Sequence, residues 1–208
     1  MARAALDPAK RGARYTAVAI ALHWLIGLAI LAMLAMGLAM VHAPISTADK
    51  FKLYQLHKSV GLTILALAAL RLAWRLGHRP PPLPADMPGW EKGAAEATHV
   101  VLYMLMIGLP LAGWAIVSTS PFSIPTLWFG VLRVPDLTVL TALGPKKALE
   151  PVFKAIHAYG AYVLIGLFAL HAGAALRHYL VLHDDVLQRM IPGLPRLARR
   201  RPAEETAR

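Results

Sequence analysis

Residues 156–179 read IHAYGAYVLIGLFALHAGAALRHY, and this stretch sets the architecture. It lies inside an apolar run from Val152 to Leu182, long enough to cross a hydrocarbon core of about 30 Å at about 1.5 Å per residue. His157 and His171 sit in it fourteen residues apart. At about 100° per residue that is nearly four whole helical turns, so both side chains point the same way, separated by roughly 21 Å along the axis. One face of one helix therefore serves two sites, one toward each membrane surface. An ionisable side chain inside a membrane helix is costly, and each such residue asks for a partner or a function.

Three further runs precede this one, at about Tyr15–Val41, Leu53–Leu76 and Thr98–Thr119. Of the 208 residues, 57% are hydrophobic and 16% charged, and mean hydropathy is +0.52, more apolar than a soluble core of this size requires. The fold expected is an all-α membrane protein, a four-helix transmembrane bundle. The first run follows Arg3, Lys10, Arg11 and Arg14 but is too long for the apolar region of a signal peptide, about 7–15 residues, and reads as a retained helix. The net charge of +11 is spread over gaps and tail without a basic fold between, which argues against a nucleic-acid partner.

Those basic residues set the orientation. The N-terminus, the second connection with Arg71 and Arg75 beside it, and the C-terminal tail together hold fifteen Lys and Arg; the first and third connections hold seven. The positive-inside rule then places both termini in the cytoplasm and the protein in the inner, cytoplasmic membrane as a multi-pass span. Residues 1–14 form a basic cytoplasmic N-terminus, 15–192 the membrane domain and 193–208 a basic cytoplasmic tail. Five prolines between Pro80 and Pro88 make the second connection a stiff, non-helical spacer. The third, Ser120–Pro151, mixes proline with Phe122, Trp128 and Phe129, as would an aromatic flap at the outer interface or an ordinary surface loop.

There is no cysteine, which excludes disulfides, thiolate metal sites and covalently attached haem. The candidate metal ligands are histidines. With helix 1 running outward and helices 2 and 4 inward, depth pairs His23 with His171 toward the cytoplasm and His57 with His157 toward the outer surface. Two histidines on facing helices clamp one planar macrocycle and fill both axial positions of its iron, an arrangement suited to electron transfer. One turn after these four stand Gly27, Gly61, Ala161 and Ala175, small residues that leave room for a porphyrin or permit close helix packing. Arg71, fourteen residues after His57, is placed to meet haem propionates or to act as a snorkelling anchor. His99 is the rival ligand for the inner site, with a polar interfacial role as its other reading. His42, His78, His178 and His183 fall at helix ends.

The segments ALHWLIG (Ala21–Gly27), LHKSVG (Leu56–Gly61), HVVLYMLMIGLPLAGW (His99–Trp114), residues 156–179 and the closing LQRMIPG resemble the bacterial cytochrome b561 family from about Tyr15 to Pro192. The resemblance implies a four-helix bundle with two haem b groups, with iron ligands at His23, His57, His157 and His171. It implies that His99 is shared but not an axial ligand. It also implies electron exchange with ubiquinone in the quinone pool, and in one branch oxidation of superoxide at the outer surface. The competing functions are an anchor subunit taking electrons from a separate dehydrogenase or hydrogenase, and a histidine-lined metal-ion or proton transporter. Zinc wants about four close ligands, whereas these histidines fall into two distant pairs.

Reporter fusions after Val41 and within Ser120–Pro151 are expected to read periplasmic, and one after Arg79 cytoplasmic; the reverse pattern would invert the bundle. Pyridine haemochrome analysis is expected to give two haem b per chain, removable by acid–acetone, and one haem or an extraction-resistant one would refute the assignment.

Overall fold

The computed structural model describes residues 14–122, 124–195 and 197. Most of the basic N-terminus and of the tail 193–208 lies outside these residues, including Arg3, Lys10, Arg11 and Arg199 to Arg201. Four long helices follow one another: α1 (Ala17–His42), α2 (Thr47–Gly77), α3 (Gly89–Thr119) and α4 (Lys146–Arg177), the last continued by a π-helical turn His178–Leu182. All four are long and apolar enough to span a membrane. Their outward faces stay apolar: Leu25, Leu28, Leu70 and Leu170 are each more than half exposed, a surface that only lipid solvates without cost.

Three helices begin earlier than hydropathy alone indicates. Thr16 and Ser46 cap α1 and α2, their side-chain oxygens accepting from the N–H groups of Ala19 and Asp49, so α2 opens with a polar turn and a half before its apolar run. The helix α3 begins with nine residues of mixed polarity, and α4 begins at Lys146 and contains Pro151 at its sixth position. That proline ends the apolar pattern but not the helix, because it removes only one hydrogen bond near the start of α4, close to the N–H groups a helix leaves unpaired anyway. The third connection is accordingly Ser120–Pro145 rather than Ser120–Pro151.

Consecutive helices pack side by side, α1 with α2, α2 with α3 and α3 with α4; the first two pairs are joined by short or proline-stiffened connections and the last by the longer Ser120–Pro145 segment. At mid-depth Ile26, Ile30, Ile64 and Leu164 form the buried centre, with Met33, Leu67, Leu105 and Phe168 packed around it. Leu164 stands seven residues from both His157 and His171, and Ile64 seven from both His57 and Arg71. Seven residues is close to two turns, so the apolar plug and the polar residues share one inward face.

The third connection is an antiparallel hairpin, β1 (Thr126–Trp128) and β2 (Leu132–Val134), with Trp128 opposite Leu132, followed by a 3₁₀ turn Thr138–Leu143. It is tied to both neighbouring helices. The Phe129 N–H donates to Ser59 Oγ at 3.0 Å, the hydroxyl proton of Ser59 lies between the carbonyls of Gln55 (3.0 Å) and Leu127 (3.3 Å), and Trp128 Nε1 donates to Thr63 Oγ1 at 3.1 Å. On α3, Trp114 Nε1 donates to the Pro135 carbonyl at 2.9 Å, and the Leu137 N–H to Ser118 Oγ at 2.9 Å. Phe129 has φ 48° and Gly130 φ 76°, so the tip uses a left-handed residue that is not glycine and depends on its anchor. Ser59 is 2% exposed.

Ser59→Ala leaves the Phe129 N–H without its acceptor at a cost of about 1–3 kcal/mol. Faster proteolytic cleavage at residues 129–131 is expected, with helix content unchanged by circular dichroism. Cleavage at the wild-type rate would show that the hairpin is held by other contacts.

Candidate functional site

The interior histidines come together in two groups at different depths. His57 of α2 and His157 of α4 lie with ring centroids 6.0 Å apart and planes at 67°. His23 of α1 and His171 of α4 repeat that arrangement at 6.0 Å and 65°. His99 of α3 also touches His171, at 5.5 Å and 69°. The structure thus brings together both expected pairs, and it adds His99 to the inner one.

Each ring is positioned by its surroundings. The Nδ1 of His157 lies 3.0 Å from the Leu109 carbonyl of α3. A carbonyl only accepts, so Nδ1 carries the proton and Nε2 keeps a lone pair for a metal. This approach depends on Gly113: a Cβ there would stand 3.3 Å from His157 Cε1. On the adjacent turn of α4 a Cβ at Gly160 would come within 2.7 Å of Leu109 Cδ2, so two glycines let α3 and α4 close around Leu109. Gly37 of α1 faces His57 Cε1 at 3.9 Å. Neither Gly37 nor Gly113 stands one turn after a histidine on its own helix, and Gly160 stands three residues after His157 rather than four, so the four-residue spacing that singled out Gly27 and Gly61 did not find them. Of those two, Gly27 faces open space, whereas Gly61 meets Met33 of α1 at 3.4 Å and serves helix packing.

At the inner group Arg71 reaches across three helices. Its guanidinium donates to the Ala19 carbonyl of α1 at 2.9 Å and to the Tyr103 hydroxyl of α3 at 3.1 Å, and lies 3.4 Å from His23 Nδ1, the outer limit of a hydrogen bond. The segment after α4 folds back over this end. Trp24 Nε1, beside His23, donates to the Met190 carbonyl at 2.8 Å, and Arg189 binds both Asp185 and the Pro82 carbonyl. His178, far along α4, pairs with Asp184 and stands apart from the two groups.

The fit of these residues to an iron macrocycle rests on spacing and on one orphaned atom. Imidazoles bonding a metal from opposite sides at about 2 Å each put their ring centroids roughly 6 Å apart, the separation both pairs show. His57 Nδ1 is buried with no hydrogen-bond partner among the described residues, a state that a finished protein interior avoids. No cluster of three or more His, Asp or Glu suited to a bare metal ion occurs among the described residues.

The family model for prokaryotic cytochrome b561 matches residues 14–193. The chain is 32% identical over 179 residues to cytochrome b561 homolog 2 of Escherichia coli (strain K12), covering 86% of this chain and 91% of that protein. It is 29% identical to cytochrome b561 homolog 1 of the same strain, covering 86% and 97%. It is 31% identical to the probable superoxide oxidase CybB of Yersinia pestis, covering 86% and 96%. The chain belongs to the prokaryotic cytochrome b561 family, and is a multi-pass bacterial membrane cytochrome binding haem b.

Proposed function

We propose that this cytochrome holds two haem b groups, one between His23 and His171 and one between His57 and His157, and moves electrons through the bilayer to the ubiquinone pool. The repetition of one ring arrangement, 6.0 Å and 65–67°, at two depths carries this reading. His99 stands 5.5 Å from His171 and is the rival for that position; the family resemblance favours His23. Haem b would supply one-electron iron chemistry, held by His23 with His171 and by His57 with His157.

The protein's residues do the rest. The Leu109 carbonyl holds His157 in the tautomer and orientation a ligand needs. Ile64, Leu164 and Phe168 exclude water between the two sites. In this reading the Arg71 guanidinium adds positive charge at the inner site, where it faces haem propionates while bracing α1, α2 and α3.

With both termini cytoplasmic, as the basic residues favour, Lys50, Lys52, Lys58, Lys146, Lys147 and Lys154 ring the outer end. They raise the local concentration of a small anion. The similarity to a probable superoxide oxidase supports superoxide as that anion, giving one electron to the outer site. The domain that does this work is 15–192, in the inner membrane.

The pairing has its own test. His57→Ala and His157→Ala are expected to deplete the same spectral component and roughly half the haem, and His23→Ala and His171→Ala the other half. A double mutant within a pair should cost little more than a single, because residues acting as one unit are non-additive. His23→Ala with His157→Ala should empty both sites and lower thermal stability, as bound cofactor stabilises the folded state. Gly113→Val, which crowds His157, should alter the outer component alone. Loss of the same component from His57→Ala and His171→Ala would overturn the pairing, and depletion of the inner component by His99→Ala but not His23→Ala would move that ligand to α3.

A further inference from the structure

The connection between α3 and α4, Ser120–Pro145, has the composition of a membrane segment rather than of a loop washed by water. It carries two charged side chains, Arg133 and Asp136, while Phe122, Phe129, Val131, Leu132, Val139 and Leu143 are each more than half exposed. Val131, at 88%, is the most exposed large hydrophobic residue among the described residues. An apolar surface of that extent marks contact with lipid or with another protein. Two further features, depth and backbone bonding, favour lipid.

The hairpin runs down the side of α2 instead of standing above it. Lys58 donates to the Pro125 carbonyl at 3.3 Å, Ser59 binds the backbone at Leu127 and Phe129, and Thr63 accepts the Trp128 indole N–H. Thr63 is six residues beyond His57 and adjoins Ile64 of the buried centre, about 9 Å further into the bundle along the helix axis. The hairpin, led by its Trp128 indole, therefore reaches past the level of His57 into the uncharged stretch 60–70 of α2. Hydrocarbon at that depth admits only chain whose polar groups are bonded within the protein. The three N–H groups of the tip meet this condition: Phe129 donates to Ser59 Oγ at 3.0 Å, Gly130 to the Leu127 carbonyl at 3.3 Å and Val131 to the Trp128 carbonyl at 3.1 Å.

We propose that this connection is a re-entrant hairpin seated in the lipid leaflet at its end of the bundle, with Phe129, Val131 and Leu132 among the acyl chains. Arg133 stands opposite Leu127 on the returning strand, from where its long side chain extends to the headgroups. Seated so, the connection is a lipid anchor for the ends of α2 and α3, and not a docking face for a water-soluble electron donor.

The chain has no cysteine, so single labels can be placed without other changes. Val131→Cys is labelled with bimane in the full-length haem-loaded protein, beside two references, Leu28→Cys on the lipid face of α1 and Lys52→Cys on the exposed first turns of α2. The proteins are reconstituted into liposomes of phosphatidylglycerol and phosphatidylethanolamine. Quenching by phosphatidylcholine brominated on its acyl chains is compared with quenching by iodide present on both sides, each relative to the same variant without quencher, so that attenuation by haem cancels. The label at position 131 is expected to follow that at 28, several-fold more sensitive to brominated lipid than to iodide, with the reverse at 52. Adding Val131→Asp to Leu132→Cys should raise iodide quenching of the label at 132 several-fold, with the dithionite-reduced haem spectrum unchanged, because a carboxylate draws the tip toward water. No change there, or iodide quenching at 131 equal to that at 52, would place the connection in water and overturn the proposal. Protection of position 131 from both quenchers would overturn it too, since the tip would then be covered by protein, a second copy included.

Discussion

The cost of holding imidazole rings in hydrocarbon is the constraint on which the rest of this structure depends. In water a histidine is solvated on both nitrogens; inside a bundle each nitrogen needs a partner supplied by the fold. Here five rings are brought in from four helices. His157 Nδ1 is satisfied by the Leu109 carbonyl and His23 Nδ1 lies against the Arg71 guanidinium, while ring contacts join His171 to His23 and His99, and His57 to His157. His57 Nδ1 has no hydrogen-bond partner among the described residues. In the proposed arrangement a haem iron would bond one nitrogen of each ring of a pair and so offset part of the cost of burying them.

The arrangement is economical in the use of α4. Because fourteen residues nearly complete four turns, one face of one helix contributes a histidine to both groups, and Leu164 midway between them belongs to the apolar layer that separates them. The facing histidines come from different helices, His57 from α2 and His23 from α1, so the two groups bring α4 to both of its non-consecutive neighbours. Consecutive helices are held by their own packing. Close approach of α3 to α4 uses Gly113 and Gly160, where a Cβ would stand 3.3 Å from His157 Cε1 and 2.7 Å from Leu109 Cδ2 and force these side chains to shift.

The two ends differ in their polar chemistry. At the hairpin end Ser59 and Thr63 bind the hairpin to α2, Trp114 and Ser118 bind it to α3, and the Lys58 ammonium donates to the Pro125 carbonyl. At the opposite end arginines dominate: Arg71 braces three helices, Arg177 bonds Glu91 at 2.9 Å and Arg189 ties the final segment to the second connection. The bundle thus closes its hairpin end mostly with neutral hydrogen bonds and the opposite end with guanidinium groups. Arginine keeps its charge at any accessible pH and offers five donors, which suits it to spanning several helices from one position.

By itself the sequence determined the four membrane helices, the absence of covalent haem attachment and the shared face of His157 and His171. Apolar run length and the 3.6-residue period are local properties that need no knowledge of neighbours. It also placed the helix ends only within several residues, because polar first turns and an early proline lie outside what hydropathy can see. Only the tertiary structure decided that His99 stands as near to His171 as His23 does, that Gly37 and Gly113 rather than the Gly27 position face histidine rings, and that the aromatic connection is a hairpin hung on Ser59. These depend on how each helix is rotated about its axis and how closely it crosses the next. Rotation and crossing are set by side chains meeting across helices far apart in the chain, a relation that spacing along one helix does not contain.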